Sequence, residues 1–192
     1  MGVPKLSPFK FSPKFYLQND LLQYVSVYKY LGVLVDELMS DDEEILQRMR
    51  NIYSTGNMLI RKFGKCSLDC KVLIFKTFLS QIYGCALWCS FKVSTYNKVK
   101  VSHNDLFRSL LHVPRYESAS TLFTALNVHN LDNVVRASYF SLLTRLTSST
   151  NSIVQALVTS EARLYSRIWH RWGVALGRNM LEVFYGVMLL SV

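Results

Sequence analysis

At Ser40 the sequence changes period, and that switch restricts the possible folds more than any other feature of the chain. Before it the pattern is extended. Residues 15–18 and 21–27 flank Asn19-Asp20, a pair that tolerates the positive φ angles of a tight hairpin turn. Residues 28–35 form a β-branched and aromatic run whose Gly32 permits a bulge or a close backbone approach. After the switch, Ser40 and Glu43 have capping-box spacing, and Asp41, Asp42, Glu43 and Glu44 put negative charge at the positive end of a helix dipole. Gly64 stands where a C-cap is wanted, so a helix is predicted over 41–63. Its apolar stripe is Ile45, Met49, Ile52, Leu59 and Phe63, while Arg50, Ser54, Asn57 and Arg61 recur on another face. Gly56, in mid-helix, lets a neighbour come close.

Helical spacing persists downstream. Ser67 can cap a strongly apolar and therefore central helix over 68–89, and Ser94 one over 95–112 that Pro114 terminates. Ser118 and Asn130 start helices near 119–126 and 131–147, a Ser/Thr/Asn loop follows at 147–151, and two weaker helices are expected over 152–159 and 161–172. Two or three short strands alone make a poor sheet with open edges. The expected fold is therefore mainly α, a helical bundle carrying a small N-terminal antiparallel β hairpin or strand remnant.

Charge narrows the possible partners. The net charge is +9, and residues 65–115 hold eight Lys and Arg against two acidic residues. This basic middle is interleaved with Phe75, Phe78, Tyr83, Trp88, Phe91, Tyr96 and Phe107. Such a pattern suits phosphate backbones, since cations release condensed counterions and aromatic faces stack on bases or sugars. It equally describes a solvated basic face over an ordinary aromatic core. Only 18% of residues are charged, below the roughly 25% of a free-standing domain, which hints at a fragment whose surfaces a larger protein would cover. The longest apolar run, 183–192, is too short to span a bilayer, and Lys5, Lys10 and Lys14 scattered among Pro4, Pro8 and Pro13 do not make a secretory signal. The expected partners exclude a membrane, and the expected compartment is cytoplasmic or nuclear, where thiols stay reduced.

Residues alone assemble no active site. Cys66/Cys70 and Cys85/Cys89 are spaced i, i+4, and one continuous helix would keep the two pairs about 21 Å apart, so they read as buried reduced thiols rather than a zinc site. Met39-Ser40-Asp41-Asp42 has the shape of a polymerase aspartate pair, but it opens an amphipathic helix instead of standing on a hairpin, and dipole complementation explains it. His103, His112, His129 and His170 lie far apart with no nucleophile at a telling spacing and read as surface or core histidines. The catalytic, metal and cofactor expectations are all none.

Ordered words of the sequence carry more. Leu17-Gln18-Asn19-Asp20 followed by Tyr28-Lys29-Tyr30-Leu31-Gly32-Val33 resembles the end of the palm of reverse transcriptases from non-LTR (LINE-like) retrotransposons. Asn57-Met58-Leu59-Ile60-Arg61-Lys62-Phe63, Leu87-Trp88-Cys89, Ser94-Thr95-Tyr96-Asn97-Lys98, Pro114-Arg115 and Ser118-Ala119-Ser120 are similar to the segment that follows that palm. The resemblance covers about residues 9–172 and implies four regions: a palm-end β remnant (1–39), a thumb-like helical region (40–115), a C-terminal helical extension (116–172) and an unmatched tail (173–192).

In that family the metal-binding aspartates precede the Lys-Tyr-Leu-Gly strand, so the resemblance implies that they lie outside this chain and that Mg2+ belongs to the full-length parent alone. Tyr30, Leu31 and Gly32 resemble the primer-grip strand, and the 41–63 helix resembles a first thumb helix. The residues expected to hold RNA or RNA/DNA duplex, weakly and without sequence preference, are Arg50, Asn57, Arg61, Lys62 and Lys65. Lys71, Lys76, Lys92, Lys98 and Lys100 form a more diffuse field. A polymerase's missing palm and fingers would be further partners. The competing expectation is an all-α protein-interaction module, or a non-functional retrotransposon-derived fragment, with no nucleic-acid role.

Overall fold

The structure, a computed structural model, describes residues 14–161 and 165–177. It is mainly α. Two antiparallel hairpins, β1 (Tyr16–Leu17) with β2 (Asp20–Leu21) and β3 (Val27–Tyr30) with β4 (Val33–Asp36), precede helices α1 (Asp42–Phe63), α2 (Leu68–Ile74) and α3 (Val93–Leu111). Then come α4 (Ala119–Ala125), α5 (Leu131–Thr147), α6 (Ser152–Thr159) and α7 (Arg167–Leu176). No described helix is long and apolar enough to cross a membrane. The apolar run at 183–192 lies outside the described residues.

The extended segments differ from expectation in their turns. The first hairpin turns at Gln18 and Asn19, with φ of 49° and 73°, so Asp20 already belongs to β2 and pairs with Leu17. Residues 28–35 are not one strand with a bulge at Gly32. They fold back at Leu31 and Gly32, with φ of 46° and 84°, and Tyr30 pairs with Val33. Paired positive φ angles match the twist of a two-residue hairpin, and Gly32 adopts its angle freely. Leu31 does not, and two groups from the helical body hold the turn: Arg48 Nη2 donates to Gly32 O at 2.5 Å and Tyr83 Oη donates to Leu31 O at 3.0 Å.

Helix α1 spans nearly the expected residues and buries Ile45, Ile52 and Leu59, with Met49 and Phe63 packed beside them. Gly56 makes room for the Leu106 side chain of α3, since a Cβ there would meet Leu106 Cδ2 at 2.6 Å. Gly64 is right-handed at φ −60°, so the helix does not end in a glycine cap. The left-handed cap belongs instead to His112 at the end of α3, whose Nε2 lies 2.7 Å from Gly64 O and ties the two helix ends together. Lys92 rather than Ser94 is the N-cap of α3.

The expected 68–89 helix is broken. α2 passes at Phe75 into a π-helical turn (Phe75–Leu79) that stops at Ser80, and Gly84 at φ +80° swings the chain into a 3-10 turn (Cys85–Leu87). The apolar pattern runs on across the break because both halves face one core, with Phe75, Leu79, Cys85 and Trp88 all buried. Ser118, Asn130 and Asn151 cap α4, α5 and α6 through their side-chain oxygens, as Ser and Asn do at that position. The last helix starts at Arg167, later than expected, and runs through Leu176.

One buried cluster extends from Ile45 in α1 to Trp172 in α7. At its centre His103 is fully buried against Phe75 and Phe123, with ring centroids 4.9 and 5.7 Å away. Neither of its ring nitrogens finds a hydrogen-bond partner among the described residues, and burial pushes its pKa down to about 4. His103 is thus a neutral core residue. Tyr139 seals the α5 side by donating from Oη to Trp88 O at 2.8 Å, and Trp172 Nε1 donates to Ala86 O at 3.2 Å.

Candidate nucleic-acid interface

Because the apolar stripe of α1 is packed, the opposite face is left to solvent. It presents Arg50, Asn57 and Arg61, all exposed, at offsets of seven and four residues that keep them in line. The line spans about 16 Å at 1.5 Å per residue. Lys62 and Lys65 are exposed just beyond Arg61. Arg50 is partly engaged, donating to Gln47 Oε1 at 2.8 Å with Glu43 at 4.0 Å, and Arg61 Nε donates to Asn57 O at 3.3 Å. These surface contacts cost little to exchange for a phosphate oxygen.

The acidic opening of α1 has a task that charge patterning did not show. Asp41 accepts from the Cys89 and Ser90 backbone amides, both at 2.7 Å, and Asp42 Oδ1 accepts from Lys92 N at 3.0 Å. The amide of Lys92 is among the groups that hold the Asp42 carboxyl below its usual range, against the opposing effect of burial. The capping box does not form: Ser40 Oγ accepts from Asp42 N at 3.3 Å, and the N-cap Asp41 makes no side-chain cap bond. Glu44 is buried, accepting from Leu34 N at 2.7 Å and from Arg48 Nε at 2.5 Å. Dipole complementation is therefore only part of the explanation. These carboxylates fasten the 89–92 segment and the second hairpin to α1.

The same geometry tests whether they fit a polymerase metal pair. Asp41, Asp42 and Glu44 spend their oxygens on amides and a guanidinium, and among the described residues no three His, Cys, Asp or Glu are grouped to hold a metal ion. They do not fit such a pair. With the 68–89 helix broken, no single helix axis separates the two cysteine pairs. All four cysteines are free thiols, Cys85 buried and the others half-buried.

Tyr30 ends strand β3, and Leu31 and Gly32 form the turn that follows it, at a point fixed by Arg48 and Tyr83. Arg48 also lies over the Tyr83 ring at 5.2 Å. Sequence reasoning passed over Arg48; its i, i+4 offset from Glu44 was the available signal. The diffuse basic field shrinks. Lys71 is buried, and Lys100 is paired with Asp132 at 2.5 Å, an acceptor that also takes the Tyr96 hydroxyl at 2.9 Å. Lys76, Lys92 and Lys98 remain exposed.

The chain is similar to the RNA-directed DNA polymerase from mobile element jockey of Drosophila melanogaster, 26% identical over 149 residues that make up 75% of this chain and 16% of the relative. The Drosophila funebris polymerase from mobile element jockey is 27% identical over 77% of this chain and 17% of its own length. The probable RNA-directed DNA polymerase from transposon BS of Drosophila melanogaster is 24% identical over 62% and 14%. The chain thus spans between 14% and 17% of the length of these curated relatives. No family model and no solved structure matches it. The resemblance to non-LTR retrotransposon reverse transcriptases, expected from the ordered sequence words, stands on these relatives as well.

Proposed function

We propose that the chain is the thumb region and following helical extension of a retrotransposon reverse transcriptase, and that its own activity is to grip the backbone of an RNA or RNA/DNA duplex without catalysing polymerisation. The exposed Arg50-Asn57-Arg61 line, opposite a fully packed stripe, carries the proposal. A polymerase must slide over every sequence, so its grip is made to phosphates, which position without specifying. Two cations and an amide on one rigid helix face supply that contact, and Lys62 and Lys65 extend it. Catalysis would belong to other parts of the parent polymerase. The palm and fingers of such a polymerase would also cover the exposed Tyr16, Leu17, Tyr24, Tyr28 and Leu31.

Duplex binding measured over a range of salt concentrations tests this reading. Affinity should be weak, insensitive to sequence and steeply salt-dependent, since roughly 0.9 counterion leaves per neutralised phosphate of a B-form duplex. Arg50→Ala with Arg61→Ala should lower the salt slope by about one to two units while the circular dichroism stays unchanged, as both side chains are exposed. An unchanged slope in the folded double variant would remove these arginines from the interface. Salt-insensitive or absent binding by the parent protein would favour a protein-interaction module instead.

A further inference from the structure

Between α5 and the segment that follows the π-helical turn lies an open groove of about 990 Å³, lined by none of the α1 residues discussed above. One wall is a face of α5 bearing Val134, Ala137, Ser138, Ser141, Leu142 and Arg145. Their offsets of three and four residues make a continuous strip about 16 Å long. Small side chains in the middle of the strip keep its floor open. The facing wall is the 80–87 segment, where the helix break exposes Gln81, Tyr83 and Leu87.

The chemistry of the lining is one-sided. Lys76 and Arg145 contribute two positive charges, both from exposed side chains, and among the described residues no Asp or Glu lines the groove. Polar groups that can read a base edge or a sugar hydroxyl come from Gln81, Asn127 and Ser138, beside apolar surface from Ile82, Leu87 and Leu142. Ser80, also in the lining, has a buried hydroxyl with no hydrogen-bond partner among the described residues. A buried hydroxyl in that state costs free energy that an incoming acceptor or donor would recover.

We propose that this groove binds an unpaired nucleic-acid strand, with phosphates at Lys76 and Arg145 and bases against the apolar wall. A short single strand presents anionic charge, planar apolar faces and hydrogen-bonding edges together, whereas a duplex keeps its base faces stacked inside. The inference shares with the proposed function the premise that the chain binds nucleic acid, but it uses different residues and a different strand state.

Fluorescence anisotropy of the full chain with a labelled oligouridine of about ten nucleotides, an oligoglutamate of similar charge and an RNA/DNA duplex separates the possibilities. Lys76→Glu with Arg145→Glu should weaken oligouridine binding at least about tenfold and duplex binding by a much smaller factor. Arg50→Ala with Arg61→Ala should do the reverse. Ser141→Trp, which fills the groove without touching its charges, should reproduce the loss for oligouridine. The proposal is overturned if Ser141→Trp binds oligouridine like the parent chain, if oligoglutamate binds as tightly as oligouridine, or if oligouridine binding is lost only with the α1 variants. Absence of duplex binding by the parent chain, with its oligouridine binding intact, would instead refute the α1 grip and leave the groove standing.

Discussion

Replacing Glu44 by Ala is expected to destabilise the protein by about 3 to 5 kcal/mol, the range for removing one partner of a buried ion pair. The carboxylate is 1% exposed and satisfies both the Leu34 amide and the Arg48 guanidinium. Without it an amide and a largely buried cation lose their acceptor together, and the second hairpin loses its fastening to α1. Urea unfolding gives the stability change, and hydrogen exchange at Val33–Asp36 should accelerate by a larger factor than exchange in α5. Glu44→Gln, which keeps an acceptor for Leu34 N, should cost less. Glu44→Met with Arg48→Met should recover part of the loss, because an apolar pair leaves no stranded charge. A loss below about 1 kcal/mol for Glu44→Ala would show that the hairpin is held by other contacts.

His103 should make stability fall with acid in a defined window. Its pKa is lowered to about 4 in the native state, from an unfolded value near 6.5. Above pH 6.5 the imidazole is neutral in both states and contributes no pH dependence. As the pH falls from 6.5 to 4 the unfolded chain takes up a proton that the native core refuses, so stability drops, and below 4 the loss levels off near about 3 kcal/mol. Subtracting the unfolding free energies of the His103→Leu variant from those of the parent, pH by pH, isolates this contribution. The variant should lack the slope and, at neutral pH, be as stable as the parent or more so, having shed two unpaired nitrogens. Identical slopes between pH 4 and 6.5 in the two proteins would place a proton on His103 in the fold.

How legible each feature was in the sequence follows from whether its cause is local. The α1 stripe and the caps at Ser118 and Asn130 each depend on residues within a few positions, and each was readable, whereas Gly56 showed that a neighbour could come close but not that it is Leu106 of α3. The break after Leu79 was not, because the same core accepts apolar residues from both sides of it. The turn at Leu31 and Gly32 was hidden for a different reason. A leucine at positive φ runs against local preference and is kept there by Arg48 and Tyr83 from elsewhere in the chain. Asp41 and Asp42 looked like dipole partners because the amides they accept from lie near Ser90, far away in sequence. On the candidate interface, spacing alone put Arg50, Asn57 and Arg61 on one face, whereas burial of Lys71 and pairing of Lys100 needed the tertiary fold. The groove beside α5 was invisible to sequence, being assembled from three separate segments.

The central claim is that the exposed face of α1 meets a duplex backbone, and nuclear magnetic resonance mapping during titration with an RNA/DNA duplex tests it most directly. The account predicts that signals of Arg50, Asn57, Arg61, Lys62 and Lys65 shift first and together, that the shifts are the same for duplexes of unrelated sequence, and that they fade as salt is raised. Shifts confined to other surfaces, or no shift on α1 at low salt with a saturating duplex, would contradict it.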